Sequence, residues 1–212
     1  MKKRSWVSVS IAIAFLIAFV LWTVAVRTVD VRPIGPQGSS VGFASLNRYV
    51  HELSGTHTFL YVLTDWLGFV PIGIALGFAV LGLVQWIKRK SILNVDRSIL
   101  ALGGFYAAVM AVYILFEIVK INYRPVLIDG LLEPSYPSST TMLAMCVMPT
   151  AMMQCYERVK NRITKHILTV AMGAFLALMV IGRLLSGVHW LTDIIGGALV
   201  STGLVLLYRA FK

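Results

Sequence analysis

Six apolar runs, each near the length that crosses a hydrocarbon core about 30 Å thick, occupy most of this 212-residue chain. They extend roughly from Trp6 to Val26, Gly68 to Ile87, Ile99 to Val119, Ser138 to Tyr156, Ile167 to Ile181 and Leu191 to Tyr208. A bilayer offers no water to backbone groups, so runs of this kind fold as helices. The expectation is an all-α, polytopic membrane protein, a six-transmembrane-helix bundle forming one domain over residues 1–212 with no separate soluble module. Composition agrees: 13% charged residues, about half the share of a soluble domain, cannot cover a water-exposed surface.

Nineteen Lys and Arg against nine Asp and Glu give a formal charge of +10. No basic stripe with interleaved aromatics lies outside the runs, so no nucleic-acid partner is expected. The placement of the charge is more informative. If the runs alternate in direction, Lys2, Lys3, Arg4, Lys88, Arg89, Lys90, Arg97, Arg158, Lys160, Arg162, Lys165, Arg209 and Lys212 share one side. Arg27, Arg32, Arg48, Lys120, Arg124 and Arg183 fall on the other. The positive-inside rule then puts both termini in the cytoplasm. The first run has the basic start of a signal peptide but exceeds the roughly 7 to 15 apolar residues of a signal core and lacks a clear small-x-small cleavage site, so a retained span is expected. Cys146 and Cys155, about 13 Å apart along one helix axis, cannot pair with each other.

The first outer segment, about residues 27–67, opens with the turn formers Pro33, Gly35, Pro36, Gly38 and Gly42. From Phe43 to Leu53 the apolar spacing is helical, which suits a short helix at the membrane surface. It reads either as a structural cap or as a lid or lateral gate. The cytoplasmic connections KRKSILNVDR and ERVKNRITKH read as topological anchors.

The chemistry concentrates in the other two outer segments. In GRLLSGVHWLTDIIGG, Arg183 closes the fifth run, His189 opens the sixth, and Asp193 follows four residues later. On a helix Asp193 would lie one turn below His189 on the same face. It could then accept the imidazole Nδ1 proton and leave Nε2 free to attack. A carboxylate placed inside the bilayer boundary is costly, which marks it as a functional candidate; a structural His–Asp pair at a helix end is the alternative. His51, His57 and His166 have no Asp four residues on and read as surface residues. In SYPSSTT, Pro137 is expected in the first turn of the fourth helix, followed by Ser138, Ser139 and Thr140. Free amides and hydroxyls there form an anion site. Pro125 is expected to end the third helix and turn Arg124 toward the same outer face. Asp129 and Glu133 stand isolated, and neither a metal nor a cofactor is expected.

Taken together, Tyr123-Arg124-Pro125, then Pro137-Ser138-Ser139-Thr140, then Arg183, His189 and Asp193 resemble the motifs of the type 2 phosphatidic acid phosphatase superfamily of membrane lipid phosphatases. The resemblance covers the six-run layout, with its specific residues inside about 117–193. It implies a metal-independent lipid phosphatase in a plasma membrane of bacterial kind, with an extracytoplasmic active site. By resemblance, His189 is the nucleophile forming a phosphohistidine, Asp193 its orienting partner, and Arg183 and Arg124 phosphate ligands.

Three positions depart from the family pattern. Gly182 replaces a serine. Glu117 stands where a lysine is usual; Lys120, one turn later, either substitutes for that lysine or pairs with Glu117. Thr140 takes the place of a histidine that protonates the leaving group, with Ser139 at the family's glycine. Loss of a general acid costs roughly 10²- to 10⁴-fold. An alkoxide, whose parent acid is about as weak as water, suffers that loss; a phosphate leaving group with a second pKa near 6 does not. A lipid pyrophosphate, such as a polyprenyl diphosphate or diacylglycerol pyrophosphate, is therefore the expected substrate, unless Glu117 itself supplies the proton. The rival reading is a catalytically weakened relative that binds or moves lipid phosphates. Met142, Met145, Met148, Met152 and Met153 either line a chain-binding groove or are core or lipid-facing residues. The sequence does not define an oligomeric state.

Overall fold

The computed structural model describes residues 2–212, with side chains from Trp6 onward; the basic side chains at positions 2–4, expected to mark topology, lie outside the described ones. The described chain is helical, without named strands. Its helices are α1 Lys2–Thr28, α2 Ala44–Ser54, α3 Thr58–Leu67, α4 Phe69–Arg89, α5 Arg97–Ile118, α6 Ser139–Arg158, α7 Arg162–Leu185 and α8 Leu191–Phe211. Five stretches are long and apolar enough to cross a membrane, Trp6–Thr28, Thr58–Arg89, Arg97–Ile118, Arg162–Leu185 and Leu191–Phe211. The protein is thus an integral membrane protein. Its sixth long helix, α6, is more polar, with Thr141, Thr150 and Gln154 fully enclosed. That polarity fits its position, since α4, α5, α7 and α8 all pack around it.

At two boundaries that differ from the sequence expectation, tertiary contacts override local signals. The second run begins ten residues early: α3 and α4 form a 32-residue apolar stretch broken only at Gly68. Pro71, lacking an N–H, leaves the Leu67 carbonyl without its helical donor, while Gly68 N–H closes on the Thr64 and Asp65 carbonyls at 3.1 and 3.0 Å. At 1.5 Å per residue the stretch is about 48 Å long, longer than the hydrocarbon core, so α3 has length to project beyond it. The third helix stops at Ile118 rather than at Pro125. Asn122, only four residues on, is drawn into buried hydrogen bonds with Gly42 and the start of α8, which a continuing helix would prevent. Lys120 is consequently off the helix and exposed, so it does not share a face with Glu117.

α1 runs antiparallel to α8. Trp22 Nε1 donates to the Thr192 carbonyl at 3.1 Å, and further along Gly203 packs against Ala12 and Leu16. The core cluster joins Phe19 and Val26 of α1 to Leu102, Phe105 and Val109 of α5, Met142 and Cys146 of α6, and Val200, Val205 and Tyr208 of α8. Cys146 and Cys155 are both free thiols. The expected surface helix is present as α2, exposing Leu46, Tyr49 and Leu53.

α2 is bolted down by Asn47, which is fully buried. Its side chain donates to the Gly42 carbonyl at 2.8 Å and to Thr192 Oγ1 at 3.0 Å, and accepts from Thr192 N at 3.2 Å. Breaking such a set would strand buried polar groups at about 1–3 kcal/mol each. These bonds fasten the start of α2 to the start of α8.

Candidate active site

The site is assembled at one end of the bundle by the segment between α5 and α6, the turn between α7 and α8, and the helix ends beside them. The segment after α5 folds back on itself through Arg124 N to the Glu133 carbonyl at 3.0 Å and Ser135 N to the Asn122 carbonyl at 3.0 Å. It is fastened to α8 by Ser138 N donating to the Asp193 carbonyl at 3.1 Å and Trp190 Nε1 donating to the Tyr123 carbonyl at 2.7 Å. These bonds keep Pro137 outside the helix: α6 begins at Ser139 with Ser138 as its cap residue, one step later than expected. Gly187 lets the α7–α8 turn close. Its φ is +69°, and a Cβ there would overlap the Gly55 carbonyl.

His189 is 4% exposed and sits in that turn, before α8 rather than on it. Asp193 therefore does not accept the imidazole proton as expected, its Oδ2 lying 3.7 Å from Nδ1, beyond hydrogen-bond range. The Asp193 carboxylate instead caps its own helix, accepting from Trp190 N at 2.9 Å and from Asn122 Nδ2 at 3.3 Å. The Nδ1 partner is the Ser135 carbonyl at 3.1 Å. A carbonyl can only accept, so Nδ1 carries the proton and a neutral ring keeps its lone pair on Nε2. The expected tautomer is thus held by a residue the sequence did not single out. Nε2 is buried and has no hydrogen-bond partner among the described residues. Burial first, then the guanidinium charges of Arg124 and Arg183, push the His189 pKa well below its ordinary value.

A cavity of about 350 Å³ is lined by His189, Arg124, Glu117, Glu133, Ser139 and Tyr136, among others. Arg124 forms an ion pair with Glu133, its Nε 3.1 Å from Oε2, while both Nε and the buried Nη1 lack a hydrogen-bond partner among the described residues. Glu133, expected to stand alone, is the residue that orients this arginine. Glu117, at the last turn of α5, reaches the same cavity.

Other expected ligands lie elsewhere. Lys120 does not line the cavity, and Ser138 is buried and gives its hydroxyl to Thr141 at 3.1 Å. Arg183, 1% exposed, contacts Thr64 Oγ1 at 3.3 Å, Asp65 Oδ1 at 3.3 Å and Thr140 Oγ1 at 2.9 Å. Its Nε is buried without a partner. Asp65 and Thr64 arrive on α3, from a segment whose sequence carries no local sign of them. Of the histidines read as surface residues, His57 and His166 are exposed, but His51 is half-buried, its ring 5.5 Å from that of Trp190.

Beside the polar cavity runs an apolar groove of about 1000 Å³ between α4, α5 and α6. The two share Tyr113, Ser139 and Met142 as walls. Of the five α6 methionines, only Met142 lines either space; Met148 is core and Met153 packs against it.

A polar cavity holding a histidine and an arginine thus lies beside an apolar groove in a helical membrane bundle. Residues 103–212, more than half of the chain, match the PAP2 superfamily, and the protein belongs to that superfamily. Its fold is similar to that of the first transmembrane PAP2 type phosphatidylglycerolphosphate phosphatase from Bacillus subtilis. The two are 21% identical over 94% of this chain and 93% of the other, with a TM-score of 0.55. No curated protein matches the sequence.

Proposed function

We propose that the protein is a lipid phosphatase that cleaves a lipid pyrophosphate through a phosphohistidine, at the extracytoplasmic face of a bilayer crossed by all six long helices. The observation that carries this reading is His189 Nε2, buried and unpartnered on a ring whose Nδ1 faces a carbonyl, lining a cavity shared with Arg124. A buried polar atom without a partner costs about 1–3 kcal/mol, and a ligand is the natural way to recover it.

His189 Nε2 attacks the terminal phosphorus. The N–P bond forms as the bond to the bridging oxygen breaks, and the lipid monophosphate leaves with the electron pair. Arg124 stabilises the charge on the transferred group. Water then attacks the phosphohistidine, the N–P pair returns to Nε2, and inorganic phosphate departs while the water proton passes to Glu117 or solvent. Asp193, at 3.7 Å from Nδ1, favours the transient positive charge on the ring.

The leaving group decides between substrates. No histidine stands at Thr140 to protonate an alkoxide, and a phosphate leaves without a proton. The groove supports a long chain. It is lined along α4 from Phe69 to Trp86, about 26 Å at 1.5 Å per residue, well past the half-thickness of the core. A polyprenyl chain reaching it laterally from the outer leaflet fits that length. Both termini are taken as cytoplasmic on the positive-inside rule.

A second reading, a binder of lipid phosphates without turnover, is favoured by the contacts that occupy Arg183. Trapping labelled phosphate on the purified protein and mapping it tests both. Label on His189 supports the enzyme; intact lipid bound with equal affinity by His189→Ala supports the binder. Matched mono- and diphosphate lipids test the substrate. Faster release from the monoester, the chemistry expected for the lipid that names the Bacillus subtilis protein, would overturn the leaving-group argument.

A further inference from the structure

Resting on the phosphoryl-transfer reading, we propose that Ser135 is a further residue of the site, its hydroxyl donating a hydrogen bond to a non-bridging oxygen of the phosphoryl group in front of His189.

The backbone of Ser135 is held on both sides. Its N–H donates to the Asn122 carbonyl at 3.0 Å, and its carbonyl accepts from His189 Nδ1 at 3.1 Å. With the backbone held, ordering the hydroxyl on a ligand costs only the rotation of a short side chain. The residue is 3% exposed and is a wall of the cavity that His189 and Arg124 also line. Its Oγ is buried without a hydrogen-bond partner among the described residues. Ser135 Oγ, His189 Nε2 and the Arg124 nitrogens Nε and Nη1 are thus unpartnered atoms on walls of one polar space.

The neighbour that could have taken this hydroxyl is already served. Asp193 is close enough to interact with it, but its Oδ2 accepts from Trp190 N at 2.9 Å and its Oδ1 from Asn122 Nδ2 at 3.3 Å. Ser138, three residues further along the same segment, shows the opposite outcome: it is buried too, and its hydroxyl is given to Thr141 at 3.1 Å. Buried hydroxyls are nearly always paired, so the Ser135 donor is left for an acceptor that arrives in the cavity. A phosphoryl oxygen is such an acceptor. Arg124 brings charge to the group, and the uncharged hydroxyl fixes the direction of a second oxygen. A donor already in place gains strength as charge collects on those oxygens. No bond to Ser135 forms or breaks, and the hydroxyl keeps its proton throughout.

Ser135→Ala removes the hydroxyl and leaves the carbonyl that holds Nδ1. Four quantities are compared with the unaltered protein: kcat on a lipid diphosphate, its pH profile, the melting temperature in detergent, and the affinity for orthovanadate by calorimetry. Orthovanadate mimics five-coordinate phosphorus and reads the transition state. The substitution should lower kcat on the order of 10²-fold and weaken vanadate by about tenfold or more, with the acid limb of the profile unmoved. Unchanged vanadate affinity beside a lowered melting temperature would mean that the hydroxyl serves the fold, and would overturn the assignment. So would an acid limb that moves, since the effect would then act through the imidazole. If Ser135→Ala does not fold, Ser135→Cys decides: its thiol is a weak donor, so equal vanadate binding there overturns the assignment and weaker binding supports it. Vanadate bound with this dependence on Ser135, but no phosphate released from any lipid, would defeat the phosphatase reading alone. Phosphate released equally fast by Ser135→Ala and the unaltered protein would defeat the role of Ser135 alone.

Discussion

The two ends of the bundle each gather a cluster of charged and amide side chains, yet they are built on opposite principles. Away from the site, Asp96 accepts from Arg89, Arg158 and Gln85, each at 2.9 Å, and its N–H donates to Gln85 Oε1 at 3.0 Å. Arg158 also donates to Gln154 Oε1 at 2.9 Å and Ser98 Oγ at 3.2 Å. Hydrogen bonds from Arg89 first, then from Gln85 and Arg158, hold the Asp96 carboxyl down to about 2. This network is closed, and it ties α4, α5 and α6 together. At the other end His189 Nε2, Arg124 Nη1 and Arg183 Nε are buried without partners. A closed network stabilises; an open one leaves donors and acceptors that a ligand can satisfy. Charge alone would not distinguish the two clusters, whereas the state of each donor and acceptor does.

The largest effect expected from this contrast is at His189. Changing it to Ala should remove turnover by on the order of 10⁴-fold or more and abolish phosphate trapping; a retained tenth of the activity would break the distinction. Arg124→Gln should cost on the order of 10²- to 10³-fold, the range for one lost charge-stabilising donor. Its counterpart Arg158→Gln should leave kcat nearly untouched and lower the melting temperature in detergent. Asn122→Ala should fall between these, roughly 10- to 100-fold down in kcat, because it frees Asp193 Oδ1 without touching the cavity.

The pH profile sharpens the same contrast. The nucleophile must be neutral, and the His189 pKa lies well below its ordinary value because of burial and the two guanidinium charges. Activity should therefore persist as pH falls through 6.5 and drop only well beneath it. An acid limb of kcat/KM centred at or above 6.5 would mean that the ring is more solvated than its 4% exposure indicates. The smallest effect belongs to Asp96→Asn, expected to shift the melting temperature by a few degrees with turnover unchanged.

Much of the architecture was legible because one physical constraint dominates it. Apolar stretches long enough for a bilayer announce themselves regardless of neighbours, and the boundaries of α1, α6 and α8 fell within a few residues of their runs. The motif residues were legible for a related reason: an Asp inside an apolar run and an Arg-Pro at its edge are expensive enough to stand out. Failures arose wherever a partner was distant in sequence. Ser135 contributes a backbone carbonyl, which has no side-chain signature at all. Asp65 lies more than a hundred residues from Arg183, on a helix extension hidden behind Pro71. Lys120 looked like a neighbour of Glu117 only under the assumption that the helix continued.

Membrane residence, the helical class and the chemical types gathered at the site follow from the sequence by itself, because solvent incompatibility and residue chemistry are local properties. Which of those residues meet was decided by tertiary structure. Asn122 and Asn47 converge on Thr192, Glu133 turns to Arg124, and Arg183 turns toward Asp65 and Thr140 rather than into the His189 cavity. Such pairings depend on where helices stop and how loops return, and each is chosen by satisfying buried hydrogen-bonding groups across the whole bundle rather than within any one segment.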